Sequence, residues 1–128
     1  MKLIVCLDDN NGMMFNKRRQ SRDRVLIENV LELCKDEKIY TNEYSGKLFP
    51  EDSVEIFGDI EDVGNAYCFA EDFTVNEEYV DEIIVYKWNR LYPADTYFNI
   101  DLENWSLTET IDFEGSSHEK ITREIYRR

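Results

Sequence analysis

The chain has one histidine, His118, in the stretch "GSSHEK" from Gly115 to Lys120. One histidine cannot assemble an H-x-H-x-D or H-E-x-x-H site, so a histidine-based hydrolytic metal centre is excluded. A Ser-His-Asp combination is formally open to His118, but its place between two alternating segments favours a hairpin-turn residue. The adjacent acids Asp8-Asp9, Glu51-Asp52, Glu71-Asp72 and Glu77-Glu78 offer oxygen ligands of the kind Mg2+ takes. Such pairs are ordinarily just solvated. Cys6, Cys34 and Cys68 are an odd number with no C-x-x-C spacing, and each sits among apolar neighbours. They read as buried, reduced thiols of a cytoplasmic protein, with no nucleophilic role. No Walker loop and no G-x-G-x-x-G is present.

The densest charge is basic. "NKRRQSRDR", Asn16 to Arg24, carries Lys17, Arg18, Arg19, Arg22 and Arg24. The chain as a whole has 15 Lys and Arg against 28 Asp and Glu, for a net charge of -13. Cations in the first turn of a helix oppose its dipole, so some other gain must offset them. One reading is a solvated helix start, with Arg22 and Arg24 paired to acids such as Glu28 and Asp23. The other is an anion site, in which Lys17, Arg18, Arg19 and Arg22 face the helix start and bind a small anionic ligand or an acidic protein segment. The overall acidity argues against nucleic acid as the partner. The longest early apolar run, "LIVCL", is too short to cross a membrane.

These groups must be positioned by a single domain over residues 1–128, a size that supports one core. "KLIVCLD" (Lys2 to Asp8) is a continuous apolar run closed by turn residues, the pattern of a buried central strand. Val25, Leu26, Val30, Leu31 and Cys34 recur at helical spacing, with Ser21 as expected N-cap. "KIYT" (Lys38 to Thr41) follows as a strand, and strand-helix-strand predicts an adjacent parallel pair. "VEIFG", "AYCFA" and "DEIIVYKW" are further strands, and "WSLTETIDF" with "KITREIYRR" forms an antiparallel hairpin around "EGSSHE". The class is α/β, with a parallel core and an antiparallel hairpin at its edge.

Four pieces of the last third occur in a telling order: Val80 to Tyr86 ("VDEIIVY"), Ala94 to Phe98 ("ADTYF"), Asp101 to Leu107 ("DLENWSL") and Ile121 to Arg127. They resemble the "VDELYLT" strand, the "GDTFFP" turn, the "D-L-x-x-W-x-L" entry to the last hairpin and the closing "F-E-x-Y-x-R" strand of dihydrofolate reductases. "LIVCLDDNNGM" at the start is similar to that family's first strand and the opening of its active-site loop. The resemblance implies a mixed, mostly parallel sheet of about seven strands with a C-terminal antiparallel hairpin and one main helix over about 22–35. It also implies an NADPH-dependent reductase acting on a pterin-like heterocycle, with Asp23 as the helix-start acid that orients the substrate.

The middle of the chain departs from that family. "KRRQ" (Lys17 to Gln20) replaces a Pro-Trp pair, and "NEYS" (Asn42 to Ser45) replaces a phosphate-binding "G-R-x-T". Ala70 and Glu71 replace a Gly-Gly pair at which backbone approaches the cofactor. The chain is also shorter than the family between Ser45 and Tyr67, by one strand and its loop. Repulsion of a pyrophosphate by Glu43 and Glu71 is expected to cost on the order of 1 kcal/mol per close pair. The expectation is therefore a binding module without a cofactor, and the alternative is a minimal NADPH-dependent reductase.

Overall fold

A computed structural model describes residues 1–128. Seven strands make the main sheet: β1 (Lys2–Leu7), β4 (Ile39–Thr41), β5 (Val54–Ile56), β6 (Tyr67–Phe69), β7 (Glu82–Lys87), β9 (Ser106–Phe113) and β10 (Ile121–Arg127). Their order is β5-β4-β6-β1-β7-β10-β9. The pairs from β5 across to β7 are parallel, and β10 runs antiparallel to both β7 and β9. The mixed, mostly parallel sheet and its C-terminal hairpin are as the sequence predicts. The adjacency of β1 and β4 is not, because β6 lies between them. β6 reaches that slot because Tyr67 and Cys68 pair with Ile39 and Tyr40 on one side and Lys2 and Leu3 on the other, and its three residues are all buried.

Both faces of the sheet are covered, which explains why β1 reads as an unbroken apolar run. Leu3, Val5 and Leu7 join Ile83, Val85 and Cys68 on one face, under Met13, Val75, Ile100 and Trp105. Ile4, Ile84, Tyr86 and Phe69 line the other face, under the main helix α1 (Arg24–Cys34). The helix buries Leu26, Val30 and Cys34, one every four residues, against that face. Each full burial of such an aliphatic chain stabilises by about 1.5–3 kcal/mol. Burial pushes the thiols of Cys34 and Cys68 up to about 12.

A second, three-stranded sheet was not foreseen. It joins β2 (Gly12–Phe15), β3 (Arg18–Arg19) and β8 (Thr96–Tyr97) in the order β3-β2-β8. Phe15 pairs with Arg18, leaving Asn16 and Lys17 as a two-residue turn with φ of 53° and 62°. Positive φ at both positions is the primed turn that suits a tight hairpin. The basic stretch is thus half hairpin and half helix start. A short helix, α2 (Glu43–Gly46), follows β4.

Trp105 is 7% exposed, packs in the core and carries the Arg128 guanidinium 4.5 Å above its ring. Its indole nitrogen has no partner. Trp105→Ala is expected to cost about 3–5 kcal/mol in urea unfolding. Trp105→Phe should cost markedly less, since it forfeits no hydrogen bond.

Candidate functional site

The site lies at the carboxyl end of β1, where the chain leaves the sheet. Asp8 follows that strand and is buried. Its Oδ1 accepts the Gly12 and Asn10 amides at 2.7 and 2.8 Å, and its Oδ2 accepts Gln20 Nε2 at 2.9 Å and the Tyr92 amide at 3.4 Å. One carboxylate therefore ties the turn after β1 to the segment before α1 and to the loop after β7. Gly12 is required at this knot. A Cβ there would stand 2.6 Å from Ala94 Cβ and 2.7 Å from Asp8 Oδ2.

Asp23 holds a second knot. It is the N-cap of α1, in place of the expected Ser21, and accepts the Val25 and Leu26 amides. The hairpin turn before β10 closes on the same carboxylate. Oδ1 accepts the Ser116 amide at 2.9 Å, and Oδ2 accepts the Ser117 amide at 2.8 Å and faces His118 Nδ1 at 2.9 Å. Burial alone would raise the pKa of Asp23. The Ser116 and Ser117 amides, His118 and the Leu26 amide together outweigh it and hold the carboxyl well below the ordinary carboxylate range. Gly115 has to be glycine, because a Cβ there would run into the Asp23 carboxylate.

His118 is a turn residue, as expected, but it is buried against Trp88, with ring centroids 4.6 Å apart and planes 26° apart. With Nδ1 turned to Asp23, Nε2 is the ring nitrogen left to meet other partners. Two hydroxyls reach that atom, Tyr92 at 2.9 Å and Ser21 at 3.2 Å.

Arg19 builds the third contact. Its Nε and Nη2 donate to Glu71 Oε2 and Oε1 at 2.9 and 3.0 Å, and its guanidinium lies 4.4 Å over the Tyr44 ring. Glu71 is 8% exposed and also accepts Ser45 Oγ at 2.7 Å. Such a two-pronged, shielded pair is strong. The hydrogen bond and charge of Glu71 outweigh desolvation and raise the Arg19 pKa. The charge of Glu71 is thus matched within the chain, which corrects the picture of Glu71 as an unpaired repelling acid. Glu43 remains exposed at the start of α2, beside Asp72, which accepts Asn42 Nδ2 at 2.7 Å.

No protein-family model matches the chain, and no curated protein sequence matches it either. Among solved structures, the dihydrofolate reductase from Enterococcus faecalis, complexed with NADP(H) and RAB-propyl, superposes with a TM-score of 0.72. Identity is 11%, over 99% of this chain and 95% of that one. The fold is that of dihydrofolate reductase. The two places that the sequence resemblance assigns to cofactor phosphates, Asn42 to Ser45 and Ala70 to Glu71, are bonded to each other here through Ser45 Oγ and Glu71.

The basic residues are not one cluster. Lys17, Arg18 and Arg22 are exposed and enter no ion pair, whereas Arg19 is spent on Glu71 and Arg24 on Glu28 at 2.9 Å. Nor do Lys17 and Arg18 face a free helix start, because Asp23 and Ser116 Oγ take the first amides of α1. Arg18 instead lines a cleft of about 310 Å3 with Phe15, Arg19, Gln20, Tyr92 and Pro93. Lys17 borders a neighbouring one of about 570 Å3 with Asp72 and Asp95. Sequence reasoning missed Tyr44, Trp88 and Tyr92, and took Asp8 only as a turn residue and as one of an acid pair. Only Asp8 left a signal, as an Asp ahead of the turn residues "DNNG".

Removing the Asp23 side chain strands buried donors, so Asp23→Ala should cost about 3–5 kcal/mol in urea unfolding. The folded pKa of Asp23 lies far below its unfolded value of about 4, so its contribution is complete above about pH 5 and is lost as pH falls through and below 4. Asp23→Asn should therefore lose stability less steeply than the wild type between pH 5 and 3. Arg19→Gln should cost about 3 kcal/mol by leaving Glu71 buried and unmatched, and Glu71→Gln in the same chain should restore part of that loss.

Proposed function

We propose that this chain is a binding module on a dihydrofolate-reductase fold, that it takes no NADPH, and that its ligand is a small anion or an acidic protein segment. The observation that carries this reading is Glu71, held between Arg19 and Ser45. In the resemblance, its position and that of Ser45 belong to phosphate contacts. A carboxylate bonded across that gap does not fit a pyrophosphate, and exposed Glu43 and Asp72 beside it add like charge. Hydride transfer depends on a held and oriented nicotinamide.

A minimal reductase with Asp23 orienting a heterocycle is supported less well. Both Asp23 oxygens are engaged by Val25, Leu26, Ser116, Ser117 and His118. The apolar cavity beside Asp23 measures about 10 Å3, too small for a bicyclic ring.

The binding reading rests on the free cations. Arg18 stands across from Phe15 at the rim of the 310 Å3 cleft, so a ligand meets a planar donor and an aromatic face together. That volume is at the lower end of the range for small-molecule sites. Lys17, on the neighbouring cleft, and Arg22, beside Asp23, are further exposed cations on the same stretch, outside the lining of this cleft.

NADPH titrated against nicotinamide fluorescence should bind no tighter than about 10 μM, which is roughly -7 kcal/mol. In a calorimetric screen of phosphorylated and polycarboxylate ligands, binding should weaken steeply with salt. It should vanish when Lys17, Arg18 and Arg22 are replaced by Gln, with stability changed by less than about 0.5 kcal/mol. NADPH binding tighter than about 10 μM would overturn the reading, and so would anion binding that survives the triple substitution.

A further inference from the structure

The Asp23–His118 pair ends on a hydroxyl, and that arrangement has a chemistry of its own. Asp23 Oδ2 lies 2.9 Å from His118 Nδ1, and His118 Nε2 lies 3.2 Å from Ser21 Oγ. Nucleophile, base and orienting acid are thus bonded in the sequence that activates a serine. The parts are held in place from both sides. Gln20 is bound to Asp8 and to the Pro93 carbonyl, and the Arg22 carbonyl accepts Ser117 Oγ at 3.0 Å. Trp88 fixes the imidazole plane. Asp23 and His118 are buried, and Ser21 is half-buried. The backbone N–H groups of Ser21 and Arg22 make no hydrogen bond within the chain.

The geometry points to Ser21 as the nucleophile of an acyl-transfer site, with His118 as its base and Asp23 as the group that orients His118. The substrate class is an ester or thioester of a short acid. The cavity adjoining Ser21, lined by Cys6, Arg22, Leu26, Phe69, Glu71 and Trp88, is only about 10 Å3, the space of about one water, and leaves no room for a longer acyl chain. In the first half-reaction Ser21 Oγ bonds to the acyl carbon and its proton passes to His118 Nε2. The C–O bond of an ester, or the C–S bond of a thioester, then breaks, and the leaving alkoxide or thiolate takes that proton. In the second, water adds to the acyl carbon and gives a proton to Nε2, and the acyl–Oγ bond breaks as Oγ takes that proton back, releasing the acid and restoring Ser21 and the base. The sum is ester plus water to acid plus alcohol, with no other reactant.

Tyr92 limits this chemistry in the resting state. Its hydroxyl, at 2.9 Å, lies closer to Nε2 than Ser21 does and competes for the same lone pair. It is a gating residue, and removing its hydroxyl frees the base for Ser21.

The inference does not rest on the anion cleft, and a neutral reagent tests it. The full chain is treated with a short alkyl fluorophosphonate, the adduct is located by peptide mass spectrometry, and p-nitrophenyl acetate turnover is followed in parallel. The expected adduct is on Ser21. Ser21→Ala should abolish it and lower turnover to the level of free imidazole, Tyr92→Phe should speed labelling several-fold, and His118→Gln should slow it about 100-fold. Thermal melts establish that each variant is folded. If His118→Gln does not fold, the Ser21→Ala and Tyr92→Phe results decide. No adduct on the wild type, an adduct on Tyr92 or elsewhere, or unchanged labelling in Tyr92→Phe would overturn the assignment.

Discussion

Asp23 ties the start of the main helix to the last hairpin turn. Its carboxylate caps α1 through two amides and closes the last hairpin turn through two more, with an imidazole on the second oxygen. A buried carboxylate survives only if its lone pairs are filled. Here they are filled by residues more than ninety positions apart in sequence. That requirement fixes the position of the turn relative to the helix. It forces Gly115, whose Cβ would occupy the carboxylate's place, and it sets His118 against Trp88. Asp8 does the same for the loop after β1, with Gly12 as the corresponding enforced glycine. The functional face is therefore held by two inward-facing carboxylates.

The fold and the face obey different rules, and this explains what the sequence disclosed. β1 and β7 are legible as continuous apolar runs and α1 as four-spaced apolar residues, and both patterns are local. The last hairpin was legible from the alternation in "WSLTETIDF" and "KITREIYRR", whereas its register shifts at an irregularity between Ile125 and Tyr126. The order of β4, β6 and β1 was not legible. Three-residue strands such as "YCF" carry no information on which neighbour they join. The β2–β3–β8 sheet was hidden for another reason. Its turn uses Asn16 and Lys17 at positive φ, and Lys gives no turn signal there.

The candidate site was legible in its ingredients and opaque in its pairings. Asp23, His118, Arg19 and Glu71 are all visible as charged or titratable residues. That Arg19 answers Glu71 depends on a contact across 52 positions. That His118 answers Asp23 spans 95. Charge periodicity does not report such distances. The expected single basic patch came from adjacency in sequence. In space the hairpin turns Arg18 and Arg19 to opposite uses, one exposed at a cleft and the other anchored under it.

The Arg19–Glu71 pair is best understood as one unit. Glu71 with a neutral residue at position 19 would be a shielded carboxylate retaining only Ser45 as a donor. Arg19 with a neutral residue at position 71 would keep its seat over Tyr44 but lose its counter-charge. Either half alone costs several kcal/mol, whereas the pair roughly balances its own desolvation. The pair also spans from β3 to the end of β6, and so anchors the β2–β3 hairpin to the main sheet. A ligand that had to enter between them would need to break both prongs of the ion pair and the Ser45 bond. A ligand at the rim, beside Arg18 and Phe15, breaks neither. The physical cost of opening the pair therefore weighs against any ligand that has to pass between Arg19 and Glu71.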